Sequence, residues 1–372
     1  MKKKILSVVG TRPEVIKMAP VIHAIAASAT LENIVCASSQ HRQMQDAMLD
    51  LFKIKTDFDL NVMKANQSLE YITSEVLEKF TIVLKETRPD LVLVQGDTTT
   101  SFAASLAAFY QGIPVGHVEA GLRTHNLKQP FPEEANRQLT SRLSRYHFAP
   151  TPQSQKNLLA EGIPQEHIFV TGNTVIDALF WMKENLNMGR ITQTLPESIL
   201  KMIDRPYVLV TGHRRENFGE GFLEICQAIK ILAEQKPDWQ FIYPVHLNPN
   251  VQKPVFEILK NLHNVHLVDP VGYEPFVYLM MNSQIILTDS GGVQEEAPSL
   301  GKPVLVMRNT TERPEGITAG TAQLVGTNPD KITTGILTLI HDPREYAKMS
   351  NAVNPYGDGL AAQKIIEILE SA

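Results

Sequence analysis

Only two cysteines, Cys36 and Cys226, occur in 372 residues. One falls on a predicted strand and the other on a predicted helix, so they read as buried thiols in a reducing compartment. No cysteine cluster is present to hold zinc. No apolar run approaches the roughly 20 residues a membrane helix needs. After Lys2-Lys3-Lys4 only Ile5–Gly10 precedes Thr11-Arg12-Pro13-Glu14, too short for the apolar core of an export signal. The formal net charge of −5 provides no field for nucleic acid. No histidine pair with a carboxylate has metal-binding helical spacing, and there is no Gly-x-Ser-x-Gly elbow. Walker-type Gly-Lys-Ser/Thr is missing, as is Gly-x-Gly-x-x-Gly after the first strand, which disfavours ATP hydrolysis and bound NAD. The expectation is a cytoplasmic protein with no metal or cofactor and no nucleic-acid or membrane partner.

What is present is a globular α/β pattern, with 43% hydrophobic and 20% charged residues in a chain too long for one ordinary core. Strand-like runs alternate with helical ones throughout, as in parallel sheets. Strands are predicted at Ile5–Val9, Asn33–Ala37, Leu91–Gln95, Pro114–Glu119, Tyr146–Ala149 and His167–Val170. A second set follows at Tyr207–Thr211, Gln240–Pro244, Val265–Val268, Gln284–Thr288, Pro303–Met307 and Thr321–Val325. Helices are predicted at Glu14–Ala27, Leu69–Thr87 and Ser101–Tyr110. The polar stretch Asn187–Arg205 is the best linker candidate. Two domains, 1–187 and 188–355, are therefore expected, with a terminal segment 356–372 whose amphipathic part packs back on the first.

The unusual polar residues gather at strand ends, where ligands bind in open parallel sheets. Asp289-Ser-Gly-Gly292 is a strand, turn and helix start suited to phosphate: glycines admit the anion to backbone, and the helix N-terminus supplies unpaired N–H groups. Glu295-Glu296, one turn on, could accept hydrogen bonds from a ribose diol. Gly10–Glu14, Gly96–Thr100, Glu119–Arg123 and Gly212–Glu216 also follow strands. Taken singly, each has a plainer account. Gly10 and Gly96 suit ordinary turns, and Thr98–Thr100 suit a helix cap. Glu119 could pair with Arg123 or Arg137, and Glu133-Glu134 could complement a helix dipole. His213 with Arg214 and Arg215 suits a diphosphate site and a surface basic patch equally. Asp97 is harder to dismiss, because it follows four apolar strand residues. His246 and Arg313 add polar groups in other strand-end loops.

In this order the blocks Val9-Gly-Thr-Arg-Pro-Glu14, Gly96-Asp-Thr-Thr-Thr100, His117-Val-Glu-Ala-Gly-Leu-Arg123 and Pro132-Glu-Glu-Ala-Asn-Arg137 are highly specific. So are Thr171-Gly-Asn173, Thr211-Gly-His-Arg-Arg-Glu216, Tyr243-Pro-Val-His-Leu-Asn-Pro249, Asp289-Ser-Gly-Gly292, Thr311-Glu-Arg-Pro-Glu315 and Asn354-Pro-Tyr-Gly-Asp358. Over essentially its whole length the chain resembles the non-hydrolysing UDP-N-acetylglucosamine 2-epimerases. The resemblance implies the GT-B architecture, two Rossmann-like parallel-sheet domains with a cleft between them, usually as a homodimer and without NAD or metal. It implies reversible conversion of UDP-GlcNAc to UDP-ManNAc by elimination of UDP to 2-acetamidoglucal and re-addition, supplying ManNAc for cell-surface polysaccharide.

By the same resemblance, Asp97, Glu119, Glu133 and His213 are the catalytic candidates. Arg12, Lys17, Phe276, Ser290, Gly291, Gly292, Glu296 and Arg313 would bind substrate, with Glu296 on the ribose and Phe276 near the base. Val271 stands where some relatives carry a polar residue. Gln40, Gln43, Arg214 and His246 fit a neighbouring allosteric site for UDP-GlcNAc, although Asn66 stands where an arginine is expected. A GT-B glycosyltransferase and a hydrolysing epimerase that releases ManNAc remain alternatives, as do a catalytically silent sensor and a modified substrate.

Overall fold

The computed structural model describes residues 2–40, 42–64, 67–192 and 194–371, without the side chains of Gln43, Met44 and Ser198. The chain divides into two compact units, Met1–Ala178 with Tyr356–Ala372, and Leu179–Pro355. The division falls earlier than the expected boundary at residue 187. It lies inside a helix rather than in the polar stretch Asn187–Arg205.

The first unit opens with β1 (Lys3–Val9), α1 (Arg12–Ala27), β2 (Leu31–Ala37) and α2 (Arg42–Leu51). Next come β3 (Phe58–Asp59), α3 (Leu69–Thr87), β4 (Leu91–Gln95) and α4 (Thr99–Tyr110). It continues with β5 (Val115–Val118), α5 (Glu133–Leu143), β6 (Tyr146–Ala149), α6 (Pro152–Ala160) and β7 (Ile168–Val170). Helix α7 (Thr174–Asn187) carries the chain out of this unit. The seven strands form a sheet in the order β3-β2-β1-β4-β5-β6-β7, and every pairing is parallel. Strands buried on both faces read as continuous apolar runs, and in β4 Leu91–Val94 are almost wholly buried. Ala103, Ala104, Ala107 and Ala108 let α4 pack tightly within the core shared with α3.

The second unit begins with α8 (Glu197–Leu200), β8 (Tyr207–Thr211), α9 (Glu220–Gln235), β9 (Gln240–Pro244) and α10 (Pro249–Leu259). It continues through β10 (Val265–Val268), α11 (Tyr273–Asn282), β11 (Ile285–Thr288), α12 (Gly291–Glu296) and β12 (Val304–Val306). It ends with α13 (Pro314–Ala319), β13 (Ala322–Leu324), α14 (Pro329–His341) and α15 (Pro343–Ser350). Its six strands run in the order β10-β9-β8-β11-β12-β13, again parallel. After Glu296 the chain tightens from α12 into a 3-10 turn over Ala297–Leu300, where Pro298 removes a donor. Among the described residues no helix is long and apolar enough to cross a membrane.

Residues after Tyr356 rejoin the first unit as α16 (Ala361–Ser371), which packs on α1. Its first turn is capped by a distant side chain. The Asp177 carboxylate on α7 accepts the N–H groups of Ala362 at 2.8 Å and Ala361 at 3.3 Å. Burial pushes this carboxyl up to about 6.

Two histidines lie side by side in the core, His117 of β5 opposite His147 of β6. Both are fully buried. Burial lowers His117 to about 4 and His147 to about 3, so each folds neutral. Below the ordinary histidine value of 6.5 the unfolded chain binds protons that the folded one refuses. Stability contributed by neutral burial is therefore present above pH 6.5 and lost as pH falls towards 4. Neither ring nitrogen of His147 has a hydrogen-bond partner among the described residues, so His147→Leu isolates the effect. The variant should lose less stability than the parent between pH 6.5 and 4 in denaturant melts. Parallel curves would contradict this account.

Candidate active site

In both sheets the strand order reverses between two central strands, β1 and β4 in the first unit and β8 and β11 in the second. Loops leaving adjacent strands there diverge and open a crevice. Gly10–Thr11 and Gly96–Thr98 leave the first pair, Gly212–Arg214 and Asp289–Ser290 the second.

At the first switch point Glu14, 1% exposed, joins the loops. Its carboxylate accepts the Gly10 N–H at 3.1 Å and the Thr98 hydroxyl at 2.7 Å. Burial pushes Glu14 up to about 7, against the lowering effect of these bonds. Gly10 cannot be replaced without disturbance, since a Cβ there would lie 2.3 Å from Ser38 Oγ and 2.5 Å from Thr100 Oγ1. Pro13 occupies the first turn of α1 without loss of a bond, so the helix starts at Arg12, ahead of the expected Glu14.

Glu119 ends β5 in the left-handed region, with φ at 66°, a conformation that strains a residue with a side chain. Its carboxylate is met by Lys17 Nζ of α1 at 2.5 Å, by Gln95 Nε2 of β4, and by Asn173 Nδ2 at 3.4 Å. The two arginines weighed as its partner form ion pairs with other carboxylates. Arg123 makes a two-pronged pair with Glu161, at 2.6 and 3.0 Å. Arg137 donates to Asp97 at 2.7 Å. Asp97, its side chain 33% exposed, also has its backbone carbonyl held by Asn136 Nδ2 at 3.0 Å.

Glu133 and Glu134 begin α5 but play different parts. Glu134 is fully buried and accepts the N–H groups of Thr124 and His125, both at 3.1 Å. It folds the preceding loop onto the helix. Glu133 is half-buried, and its Oε2 has no hydrogen-bond partner among the described residues. Four residues before Arg137, it shares the helix face that reaches Asp97. Lys17, Asp97 and Glu119 thus gather at the carboxyl ends of β4 and β5, with Glu133 on the adjoining helix and Arg12 opening α1. Gln95 and Asn173 were not expected to take part. Gln95 is the polar residue closing the run Leu-Val-Leu-Val, and Asn173 lies in the Thr-Gly-Asn block, so both left a faint signal.

At the second switch point the linking carboxylate is Asp289, wholly buried. Its Oδ2 accepts the N–H groups of His213 at 2.9 Å and Arg214 at 2.8 Å, and Asn217 Nδ2 at 3.4 Å. The His213 ring lies 3.6 Å from Asp289 Oδ1 and stacks on His246, with centroids 5.5 Å apart. Burial lowers His213, while Asp289 raises it and Arg214 and His246 lower it further. Ser290 N–H is used by Thr288 Oγ1 at 3.0 Å. The Arg313 guanidinium lies over Gly291, where a Cβ would come 3.0 Å from its Cζ. Arg313 is in turn held by Glu295 at 2.8 Å and Glu312 at 2.9 Å.

Of the two carboxylates considered for a diol, Glu295 is therefore committed to Arg313. Glu296 accepts the Tyr273 hydroxyl at 3.0 Å, close to Gly292. Burial pushes Glu312 up, but the Arg313 and Arg308 charges prevail and hold it at about 2. Arg214 reaches the same carboxylate at 3.4 Å. Phe276 is half-buried on the first turn of α11, and Val271 and Pro275 line a groove of about 840 Å³.

Of the residues assigned to a neighbouring site, Gln40 accepts the Thr100 hydroxyl at 2.9 Å. His246 accepts Asn248 N–H at 3.1 Å. The Gln43 side chain and Asn66 lie outside the described residues. Among the described residues no cluster of three histidine, cysteine or acidic side chains could hold a metal ion.

A family profile described as UDP-N-acetylglucosamine 2-epimerase matches residues 23–370. The UDP-N-acetylglucosamine 2-epimerase of Yersinia pestis is 55% identical over 370 residues, 99% of this chain and 98% of that protein. The crystal structure of UDP-GlcNAc 2-epimerase from Neisseria meningitidis bound to UDP-GlcNAc superposes with a TM-score of 0.88 at 54% identity, covering 99% of this chain and 100% of the other. The S. aureus protein MnaA, solved with UDP, gives 0.87 at 42% identity, covering 99% and 96%.

Removing the Asp289 carboxylate leaves buried N–H groups without an acceptor, at about 1–3 kcal/mol each. Asp289→Ala should lower unfolding free energy by at least ~2 kcal/mol. Asp289→Asn keeps one acceptor oxygen and should cost much less. Equal melting behaviour of the two variants would remove the carboxylate from its structural role.

Proposed function

This chain belongs to the UDP-N-acetylglucosamine 2-epimerase family, and from that premise we infer that it interconverts UDP-GlcNAc and UDP-ManNAc by inverting C2 of the sugar. The fold is of the α/β, GT-B class, with two Rossmann-like domains. One observation carries the reading: a single chain holds a cluster of acids at one sheet's switch point and an anion-type loop pair at the other's.

A C2 proton beside an amide is not acidic enough for direct removal, so UDP leaves first. As the C1–O bond weakens, cationic character grows at C1 and the C2 proton becomes removable. The resulting 2-acetamidoglucal and UDP recombine after a proton has been delivered to the opposite face. His213, Arg12, the Ser290 side chain and the backbone of Gly291–Gly292 stabilise the departing diphosphate, which in a dry site contributes several kcal/mol. Arg313 supports this loop by lying over Gly291. Glu296 takes the ribose and Phe276 lies near the base. Asp97, Glu119 and Glu133 carry protons, each such transfer contributing ~10²–10⁴-fold. The Lys17 ammonium, the Gln95 and Asn173 amides and the Arg137 guanidinium orient Glu119 and Asp97.

A second UDP-GlcNAc acting as activator at Gln40, Gln43, Arg214 and His246 is part of the same proposal. The stack of His246 on His213 favours it, because a ligand at one ring reaches the catalytic one. A homodimer is also proposed, supported by the apolar side chains Ile82, Phe109 and Tyr110, 57–65% exposed on α3 and α4. Two free, buried cysteines suit a cytoplasmic location, where the product would serve surface polysaccharide.

The decisive experiment is incubation with UDP-GlcNAc in D2O, followed by proton NMR. UDP-ManNAc deuterated at C2, with little free sugar, is the expected result. Free ManNAc as the main product would identify a hydrolysing enzyme, and absence of exchange would overturn the proposal. Asp97→Asn should reduce exchange by ~10²–10⁴-fold with UDP affinity largely unchanged; near-normal turnover would remove Asp97 from the mechanism. Light scattering should give twice the monomer mass, and Phe109→Glu should shift it towards one.

A further inference from the structure

The turn that presents Asp97 is held by more than the groups that touch its carboxylate. Gly96 has φ at 69°, and its N–H donates to the Val118 carbonyl at 3.0 Å. Its own carbonyl lies 2.7 Å from His117 Nε2. A carbonyl can only accept, so the contact places the ring proton on Nε2. His117 Nδ1 is buried with no partner among the described residues, as expected of the unprotonated nitrogen of a neutral ring. On the far side of Asp97, the Thr98 hydroxyl donates to Glu14 while its oxygen accepts the Ser101 N–H at 3.0 Å. This oxygen is the N-cap of α4. Glu14 is fixed in turn by the Gly10 N–H.

We propose that His117 and Glu14 are positioning residues for Asp97. His117 clamps the carbonyl before it and Glu14 clamps the hydroxyl after it, so the acid is presented in one orientation. The inference rests on the epimerase reading and deepens it. Packing alone would not require a donor at residue 117, since an aromatic ring of similar size would fill the strand-end space. Misplacing a catalytic group by about 1 Å can cost ~10²-fold in rate, whereas a UDP grip built on other strands is untouched.

The test compares His117→Phe, which keeps the bulk and loses the donor, with His117→Gln, whose amide N–H can reach the same carbonyl. Measured quantities are kcat and KM for UDP-GlcNAc, C2 deuterium exchange, UDP affinity and melting temperature. His117→Phe should lower kcat and exchange by ~10²-fold, with KM and UDP affinity near the parent's. His117→Gln should recover most of that loss. A Phe variant with parental kcat, or a Gln variant as slow as Phe at equal melting temperature, overturns the proposal. Should His117→Phe fail to fold, Thr98→Val against Thr98→Ser decides it. Loss in Val with recovery in Ser supports the clamp, and parental kcat in Val refutes it. Lack of C2 exchange in the parent protein would instead withdraw the functional reading beneath it.

Discussion

Each sheet depends on one buried carboxylate at the place where its strand order reverses. Glu14 ties the loops after β1 and β4, and Asp289 ties those after β8 and β11. Loops that diverge from adjacent strands have backbone N–H groups aimed into a crevice, and a buried N–H without an acceptor is costly. A carboxylate has enough lone pairs to satisfy several donors at once. The solution is the same in both units, although the two acids come from different parts of the motif. Glu14 reaches back from the helix that follows its loop, and Asp289 sits at the end of the strand itself.

The two carboxylates differ in what they leave for chemistry. Glu14 is consumed by its loops, and its raised value near 7 marks how little else compensates its charge. Asp289 spends Oδ2 on backbone and keeps Oδ1 turned to the His213 ring, so it holds the loop and biases the imidazole together. Around both, charges are balanced locally by Lys17 against Glu119, Arg137 against Asp97 and Arg313 against Glu295 and Glu312. Glu119, Asp97 and Arg313 are therefore held in place by fixed partners.

Much of this was legible in the sequence, and the limits have physical causes. Leu91–Gln95, Tyr146–Ala149, Tyr207–Thr211, Gln240–Pro244 and Val265–Val268 were read with their observed bounds; in Leu91–Gln95 and Tyr207–Thr211 the cause is plain, a buried apolar run stopped by a polar residue. Strand β3 was missed: two residues long, it is held at the edge by pairing with Cys36 and Ala37, and no periodicity fits in such a length. Asp97, Glu119, His213 and Asp289 stood out because they interrupt apolar strands at their carboxyl ends. Their partners did not stand out. Lys17 is 102 residues from Glu119, and only the order of strands in the sheet brings the Lys17 side chain within reach of the end of β5. The same applies to Arg123, whose pairing with Glu161 left Glu119 to Lys17. The left-handed backbone of Glu119 had no signature, since that conformation normally announces itself through glycine.

The path of the chain sets an order of events during synthesis. Seven strands of the first unit are translated before any of the second, yet the helix that covers α1 follows the whole second sheet. Until residues 361 and 362 leave the ribosome, the Asp177 carboxylate has no backbone donors from α16 to receive and α1 lacks its cover. α1 is also the element that carries Arg12, Glu14 and Lys17. A nascent protein therefore covers the helix that carries these residues only after the second sheet has been made. A product truncated before residue 361 would retain the second sheet and leave α1 uncovered.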